Sequence, residues 1–138
     1  MSISAKGRTG LRMMVVLGQA TEGEYISLRT ITQKQGISYK YLERLIPSMV
    51  KSGLVESMQG KNGGYRLTRR PEDINVAEIL VALEGPFESA PCQQCYLKPE
   101  LEKVCPVIDN CKIIHMWKGY DKITTEYFES VSLADVCR

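Results

Sequence analysis

Four of the chain's five cysteines lie within one short stretch, CQQCYLKPELEKVCPVIDNC, which spans residues 92–111. They are Cys92, Cys95, Cys105 and Cys111. Four thiolates can enclose an iron-sulfur cluster or bind zinc tetrahedrally, and the C-x-x-C pair can also act as a thiol–disulfide switch without metal. The stretch has no apolar period that would bury the cysteines as inert core residues. These residues therefore predict a metal or redox site whose kind stays open.

The beginning of the chain indicates the compartment in which these cysteines would work. The apolar run in MSISAKGRTGLRMMVVLGQA is short, interrupted by charges and without a small-residue cleavage site. It resembles neither a signal peptide nor a transmembrane helix. We therefore expect a cytoplasmic protein, and structural disulfides are disfavoured in that reducing compartment.

The remaining chemistry-bearing residues do not suggest an enzyme. His115 is the only histidine, and no Ser, His and Asp arrangement can be built around it; no glycine-rich phosphate loop opens a helix either. The charge is uneven: residues 1–84 hold twelve Lys or Arg against eight Asp or Glu, and residues 85–138 hold six against eight. A cationic N-terminal part suits a polyanionic partner.

The elements that would position these residues begin with three helices. The apolar residues Leu11, Met14, Val15 and Gly18 predict an inward-facing stripe on a helix over residues 5–19. Ser27 then caps a short helix that Gly36 ends, and Ser38 caps a third helix. Two short helices joined by a tight turn are typical of a helix-turn-helix. The apolar residues of the third helix predict its buried face: Tyr41, Leu42, Leu45, Ile46, Met49 and Val50.

A glycine-rich hairpin follows the third helix. The segments LVESM and YRLTR alternate in polarity and flank QGKNGG, whose glycines can adopt the positive φ angles of a hairpin tip. A helix over residues 76–83 should pack on the first helix. The pattern predicts a mainly α fold with a small β-hairpin, a winged helix-turn-helix domain over residues 1–84.

The C-terminal part reads as a cysteine-rich sensor loop over residues 85–111 and a dimerisation helix with a tail over residues 112–138. From Asp109 a helical period returns and predicts a helix about 30 Å long. We expect this helix to pair with the same helix of a second copy of the chain. Cys137 is expected to be a bystander thiol in a frayed end. The apolar stripe of this helix consists of Ile113, Met116, Trp117, Tyr120, Ile123, Thr124 and Tyr127.

The exposed residues of the third helix and of the hairpin tip are the candidates for DNA contact. The second helix of a helix-turn-helix enters the major groove, where its first turns meet base edges and phosphates. From this placement the candidates are Ser38, Tyr39, Lys40, Glu43 and Arg44 on the helix, and Lys61 and Asn62 on the hairpin tip.

At this point the order and spacing of the motifs resemble a known family. The stretches ISAKGRTGLRMM, QGISYKYLERLIPSMVKSGLVESMQGKNGGYRL, INVAEILVALEG and CPVIDNCKIIHMW are similar to the Rrf family of bacterial winged helix-turn-helix transcription regulators, of the IscR, NsrR and CymR kind. The resemblance implies a dimeric repressor. It also implies operator contacts by Ser38, Lys40, Tyr41 and Glu43, and it places Gln59 where an arginine is common in the wing.

The resemblance bears on the cysteines as well. It implies that Cys105 and Cys111 are the last two ligands of an iron-sulfur cluster, of the 2Fe-2S or 4Fe-4S type. Two arrangements stay open for the remaining ligands: either Cys92 or Cys95 is the third ligand and the fourth is another group, or all four thiolates enclose the cluster. His115 lies one position later than the family's histidine ligand, which turns it by about 100° around a helix.

The sequence therefore predicts a DNA-binding transcription regulator, a homodimeric repressor whose iron-sulfur cluster senses iron-sulfur status, redox conditions or nitric oxide. Two alternatives stay open. One is a regulator with a metal-free or zinc-binding thiol switch, and the other is a small redox or metal-handling protein.

Overall fold

The computed structural model describes residues 3–90 and 105–138. The chain separates into a larger unit, Ser2–Gly85 with Phe128–Arg138, and a smaller unit, Pro86–Tyr127. In the described residues the elements are six α-helices, two short 3-10 turns and one antiparallel hairpin. The predicted mainly α class with a small β-hairpin is confirmed, and the domain boundaries predicted above stay predictions. No helix in these ranges is long and apolar enough to cross a membrane.

Helices α1 (Ala5–Gly18) and α4 (Val76–Glu84) pack closely against each other in the larger unit. Their approach depends on glycine, because a Cβ atom at Gly10 would overlap the buried Leu83 side chain. The predicted packing of the fourth helix on the first is therefore confirmed.

The stripe predicted to face inward on α1 is only partly right. Met14 is fully buried, whereas Leu11 and Val15 are half-buried at the edge of the core. The error has a physical reason: the small residues mark the face nearest α4, and a pattern built from large apolar residues overlooks them. The buried residues of α1 are Gly7, Gly10, Met13, Met14, Val16 and Leu17.

Helices α2 (Leu28–Gln35) and α3 (Tyr39–Lys51) form the helix-turn-helix. The Ser27 hydroxyl accepts a hydrogen bond from the Thr30 N–H at 3.1 Å, and Gly36 ends α2 with a φ of 62°, as the sequence predicts. Ser38 does precede α3. Its hydroxyl makes no capping hydrogen bond, so its predicted role as a side-chain cap is wrong.

The core-facing side of α3 is narrower than predicted. Val50 is 39% exposed, and Tyr41 is only half-buried, packed at the edge of the core. Val50 follows the buried Met49 directly, which turns its side chain by about 100° around the helix and toward solvent. Its predicted burial is wrong. The buried residues of α3 are Leu42, Leu45, Ile46 and Met49.

The predicted hairpin is present and is fixed to the helices by backbone hydrogen bonds. Strand β1 (Val55–Met58) pairs with β2 (Gly64–Leu67) in antiparallel register. Ile26, just before α2, exchanges two backbone hydrogen bonds of 2.9 Å with Tyr65. This bridge attaches the hairpin to the helix-turn-helix and so fixes where its tip can lie.

The last residues dock on the larger unit. Helix α6 (Leu133–Val136) begins with a capping box, in which the Ser132 hydroxyl accepts from the Asp135 N–H at 3.1 Å and the Asp135 carboxylate accepts from the Ser132 N–H at 3.0 Å. The Cys137 thiol points at the Val15 carbonyl oxygen, 3.8 Å away. Burial raises the pKa of this thiol. The expected frayed end is therefore wrong, because a capped turn and core packing hold it.

The described part of the smaller unit contains a 3-10 turn at Ile108–Asn110 and most of helix α5 (Ile114–Ser130). The helical period was expected to return at Asp109, so the predicted start is wrong by five residues. The 17 residues of α5 give a length of about 25 Å rather than about 30 Å.

Candidate nucleic-acid interface and cysteine segment

One face of α3 carries its charged side chains and lies outside the core. Lys40, Glu43, Arg44 and Lys51 are all exposed. Glu43 and Arg44 follow Lys40 by three and four residues, which places all three on one side of the helix within two turns. Because the apolar residues of α3 hold its opposite side in the core, this charged face is presented to solvent.

The first turn of α3 extends the same surface. Ser38 is exposed and its hydroxyl is not used as a cap. Tyr39 is 50% exposed, whereas Tyr41 is half-buried beside the core. Ser38 and Tyr39 are thus available to a partner through their hydroxyl groups, and Tyr41 offers a smaller part of its side chain.

The tip of the hairpin presents the remaining predicted contact residues. Gln59, Lys61 and Asn62 are exposed. The turn is closed by a hydrogen bond of 3.0 Å from the Gly63 N–H to the Gly60 carbonyl, and Gly60 has a φ of 112°, which glycine adopts without strain. The backbone of the tip is therefore set by its glycines, and the lysine and asparagine project from it.

Part of the basic segment is used internally. Arg66 forms an ion pair with Glu56, its direct partner across the hairpin. Its guanidinium also lies 4.5 Å from the ring centroid of Tyr25 and donates to the Gly23 carbonyl at 3.3 Å. The hydrogen bond and charge of Glu56 raise the pKa of Arg66. This arginine therefore braces the hairpin against the loop before α2.

Two further arginines are paired within the same unit. Arg69 lies 2.5 Å from the Glu78 carboxylate, and Arg70 lies 3.1 Å from that of Asp73. Among the described residues, the other cations between residues 34 and 70 form no ion pair. These unpaired cations are Lys34, Lys40, Arg44, Lys51 and Lys61, and all are exposed.

A cleft of about 250 Å³ separates the first turn of α3 from the hairpin. Tyr39 forms one side, Met58 and Gln59 form the other, and Ser27 and Leu28 at the start of α2 also contribute. The sequence reasoning missed Met58 and Ser27 as surface residues of this region. Their neighbourhood depends on the bridge at Tyr65, which leaves no local sequence signal.

The structure places only part of the predicted cysteine site. Cys105 and Cys111 are half-buried free thiols, and His115 is exposed in the first turn of α5. Cys92 and Cys95 lie outside the described residues. Within residues 3–90 and 105–138, no three His, Cys, Asp or Glu side chains form a group that could hold a metal ion. Of the four predicted ligands, the structure thus describes only Cys105 and Cys111, which precede α5. Their thiolates suit an iron-sulfur cluster or zinc.

Helix α5 has two unlike faces. Its buried residues are Ile114 and Asp121. Trp117 and Thr124, which the sequence placed on the apolar stripe, are half-buried. The other side carries large apolar residues at helical spacing, and their exposed fractions are Met116 56%, Tyr120 44%, Ile123 69% and Tyr127 63%, with Ile113 at 56% just before the helix.

Comparison with known proteins gives these surfaces a context. The profile of the Rrf2 family, described as "Iron-dependent Transcriptional regulator", matches residues 3–138. Protein rrf2 of Nitratidesulfovibrio vulgaris is 32% identical over 138 residues, which cover all of this chain and 88% of that protein. The HTH-type transcriptional regulator IscR of Xenorhabdus nematophila is 30% identical and is covered to 80%.

Solved structures agree with these sequence relatives. CymR, the global cysteine regulator of B. subtilis, is similar with a TM-score of 0.76 and 29% identity, over 99% of this chain and 96% of that one. T. potens IscR is similar with a TM-score of 0.72 and 34% identity, over 99% and 85%. These proteins are regulators, which confirms the prediction that the chain is not an enzyme. Since the family profile and the relatives cover nearly the whole chain, it belongs to the Rrf2 family of transcriptional regulators.

Proposed function

We propose that the chain is a homodimeric repressor whose binding to operator DNA is controlled by an iron-sulfur cluster. The observation that carries the DNA-binding part is the sorting of the basic residues. Three arginines on or just after strand β2 are paired with carboxylates, namely Arg66, Arg69 and Arg70. In contrast, Lys40, Arg44 and Lys61 are exposed and unpaired among the described residues. The protein would act in the cytoplasm, where bacterial operator DNA is found.

The proposed docking places the first turns of α3 in the major groove. Lys40 and Ser38 would contact phosphates, and Arg44 would contact phosphate or guanine. Glu43 would accept a hydrogen bond from a cytosine amino group. A carboxylate on a cationic face repels phosphate, so Glu43 would contribute to sequence discrimination more than to affinity.

The hairpin would act as the wing. Lys61 would supply charge to the backbone of the adjacent groove, and Asn62 and Gln59 would offer amide groups for hydrogen bonds. Because Arg66 braces the hairpin, the wing would keep a fixed position relative to α3. Tyr39 and Tyr41 complete the proposed contact surface on the first turn of α3.

The dimer would form through the exposed apolar side of α5. Complete burial of a large apolar side chain contributes about 1.5–3 kcal/mol. These five side chains are 44–69% exposed, so each would contribute about half of that value, and the ten side chains of two copies would together offset an association cost of about 4–15 kcal/mol. In a twofold dimer the two copies of α3 would reach successive major-groove segments.

The cluster would be held by Cys105 and Cys111 together with Cys92, Cys95 or both. When bound, an iron-sulfur cluster supplies a centre that oxidants or nitric oxide can convert or remove. The partly exposed thiols of Cys105 and Cys111 suit this role because they are accessible, and a change at Cys111 would be transmitted along three residues to the start of α5. The family's description as iron-dependent and the relatives named IscR support this choice. His115 is exposed and stays a weaker candidate for a fourth ligand.

One alternative keeps the regulator but removes the iron. The likeness to Staphylococcus aureus CymR, which has been solved in an oxidised form, is consistent with a thiol switch, and a four-thiolate zinc site uses the same donors. The family assignment disfavours a small redox enzyme or metal-handling protein.

Anaerobic purification followed by absorption spectroscopy, iron and zinc analysis tests the cluster. The wild type should show visible charge-transfer bands and bound iron, Cys105→Ala should lose both, and Cys137→Ala should keep both. Cys137 is the matched control because its thiol packs on Val15 in the larger unit. A colourless wild type without iron after reconstitution, indistinguishable from Cys105→Ala, contradicts the cluster.

DNA binding and dimerisation are tested separately from the cluster. Light scattering should give twice the mass of one chain, and Ile123→Lys should shift it to the mass of the monomer. Val81→Lys is the control, because Val81 is an exposed apolar residue on α4, outside the stripe. A fluorescent duplex from upstream of the protein's own gene should bind with an affinity that falls steeply with salt. A monomeric wild type, or binding insensitive to salt, contradicts the corresponding part.

A further inference from the structure

Asp121 is the one charged side chain that is buried in the described part of the chain, with 9% of its surface exposed. It lies on α5, about two turns after the buried Ile114 and on the same side of the helix. Burying a carboxylate is costly unless hydrogen bonds compensate for the lost water. Its position on the inner face of α5 therefore requires a specific partner.

The backbone N–H of Ser89 is such a partner. It lies 3.0 Å from one carboxylate oxygen of Asp121 and 3.2 Å from the other. A hydrogen bond to an ionised carboxylate is stronger than one between neutral groups. Both residues belong to the smaller unit, so this bond joins the segment that leads into the cysteines to the middle of α5.

The bond gives the cysteine segment, residues 85–111, a second attachment to α5 besides its covalent continuation into the helix. The C-terminal end of the segment continues covalently from Cys111 into α5 at Ile114, and the N-terminal end is held at Ser89. With the bond in place, the described part of the segment at Ser89 lies against the middle of α5, and the other end of the segment continues into the beginning of the same helix.

We infer that Asp121 is a positioning residue that couples the cysteine segment to α5. It holds the N-terminal end of the segment on the inner face of the helix whose outer face is apolar and exposed. A rearrangement around the cysteines then acts on α5 at two points rather than one. This inference rests on the proposed function, because it concerns how that regulatory segment acts on the helix.

The test compares Asp121→Ala with two matched variants. Asp121→Asn keeps one acceptor oxygen for the Ser89 N–H and nearly the same shape. Thr125→Val removes a neighbouring hydrogen bond, from the Thr125 hydroxyl to the backbone carbonyl of Asp121 at 2.8 Å, and leaves the carboxylate intact. Each protein is prepared with its cluster and after cluster removal by a chelator under reductant, and operator dissociation constants are measured for both forms.

The ratio of the two dissociation constants is the coupling between the segment and the DNA, and allosteric couplings are about 5- to 150-fold. We expect the wild type and Thr125→Val to share one ratio, Asp121→Asn to keep part of it and Asp121→Ala to fall to about twofold or less. The cluster-free affinity and the iron content should be unchanged. An undiminished ratio in Asp121→Ala overturns the inference.

A second measurement needs no cluster and decides the case when a variant fails to dimerise or the wild type binds no iron. Amide hydrogen exchange of Ser89 is followed by NMR in the metal-free wild type and in Asp121→Asn. Slow exchange that accelerates in Asp121→Asn supports the attachment, and equally fast exchange in both overturns it. A wild type without iron contradicts the proposed function alone, so the two failures are distinguishable.

Discussion

Replacing Lys61 at the tip of the wing should lower the salt dependence of DNA binding by a predictable amount. Lys61 is exposed and forms no ion pair among the described residues, so it can neutralise a phosphate. Arg70 provides the matched control, because it carries the same charge but is paired with Asp73 at 3.1 Å. Lys61→Gln and Arg70→Gln thus remove one positive charge each and differ in whether that charge is available to DNA.

The magnitude follows from counterion release. Lys40, Arg44 and Lys61 from both protomers of a dimer would neutralise six phosphates, and each phosphate adds about 0.9 to the slope of log K against log salt, about 5.4 altogether. Between 50 and 200 mM salt the wild type should then lose about 1,800-fold in affinity. Lys61→Gln leaves four phosphates, a slope of about 3.6 and a loss of about 150-fold.

The assay is fluorescence anisotropy of a labelled duplex, titrated with protein at several salt concentrations under anaerobic conditions. Arg70→Gln should keep the wild-type slope within about half a unit. If Arg70→Gln flattens the slope as much as Lys61→Gln does, pairing with a carboxylate does not determine which cations reach DNA, and the prediction fails. A wild-type slope near half the expected value would indicate that one protomer binds.

Three further predictions concern stability and thiol chemistry. Gly10→Ala should lower the free energy of unfolding in urea by about 1–3 kcal/mol, because the added methyl group overlaps the buried Leu83. Gly119→Ala is the control and should raise it by up to about 1 kcal/mol, since a Cβ at Gly119 meets no described atom within 4 Å. Equal effects of the two substitutions would contradict this packing. Iodoacetamide at pH 8 should modify Cys137 more slowly in the native protein than in urea, since burial raises the pKa of its thiol, and equal rates would argue against the docked tail. Hydrogen bonds from Ser132 lower the pKa of Asp135 in the folded protein. The ionised Asp135 therefore stabilises the fold above its unfolded pKa of about 3.9, and this contribution is lost as the pH falls through the lower folded pKa. Asp135→Asn should accordingly reduce the decrease of the urea midpoint between pH 5 and pH 3.

The parts of the fold that the sequence predicted well depend on local signals. Ser27 caps α2 and Gly36 ends it, and both effects involve residues within one turn of each other. The glycines of the hairpin tip likewise set the turn through their own φ angles. Such features need no knowledge of the tertiary structure, and the helix-turn-helix with its wing could therefore be predicted.

The errors arise where long-range contacts decide. Gly10 is buried because Leu83 of α4 packs against it, and no feature of the first helix alone announces that neighbour. Cys137 docks because a short capped helix places it next to Val15, 122 positions earlier in the chain. The late start of α5 is a different kind of error, because Ile113 fits the helical spacing of the stripe but lies just before the helix.

The candidate DNA surface likewise depends on contacts that composition alone does not reveal. The sequence counts eight cations between Lys34 and Arg70 and treats them alike. The structure separates them, because the pairing of β1 with β2 places Glu56 opposite Arg66. A shift of the strand register by one residue would move these two side chains to opposite faces of the hairpin. Which charges are available to DNA is thus a property of the register.

Helix α5 departs from the usual pattern of an amphipathic helix, although its buried side also holds Ile114. Large apolar side chains such as Ile123 are exposed, whereas the carboxylate of Asp121 is buried. The exposed stripe could be predicted from its period, since a chain seldom leaves such a surface uncovered. The buried carboxylate could not, because it accepts a hydrogen bond from the Ser89 N–H, 32 positions earlier in the chain. A polar residue on the inner side of a helix that presents its apolar side to a partner is thus a sign of a segment held there, and the cysteines follow that segment directly.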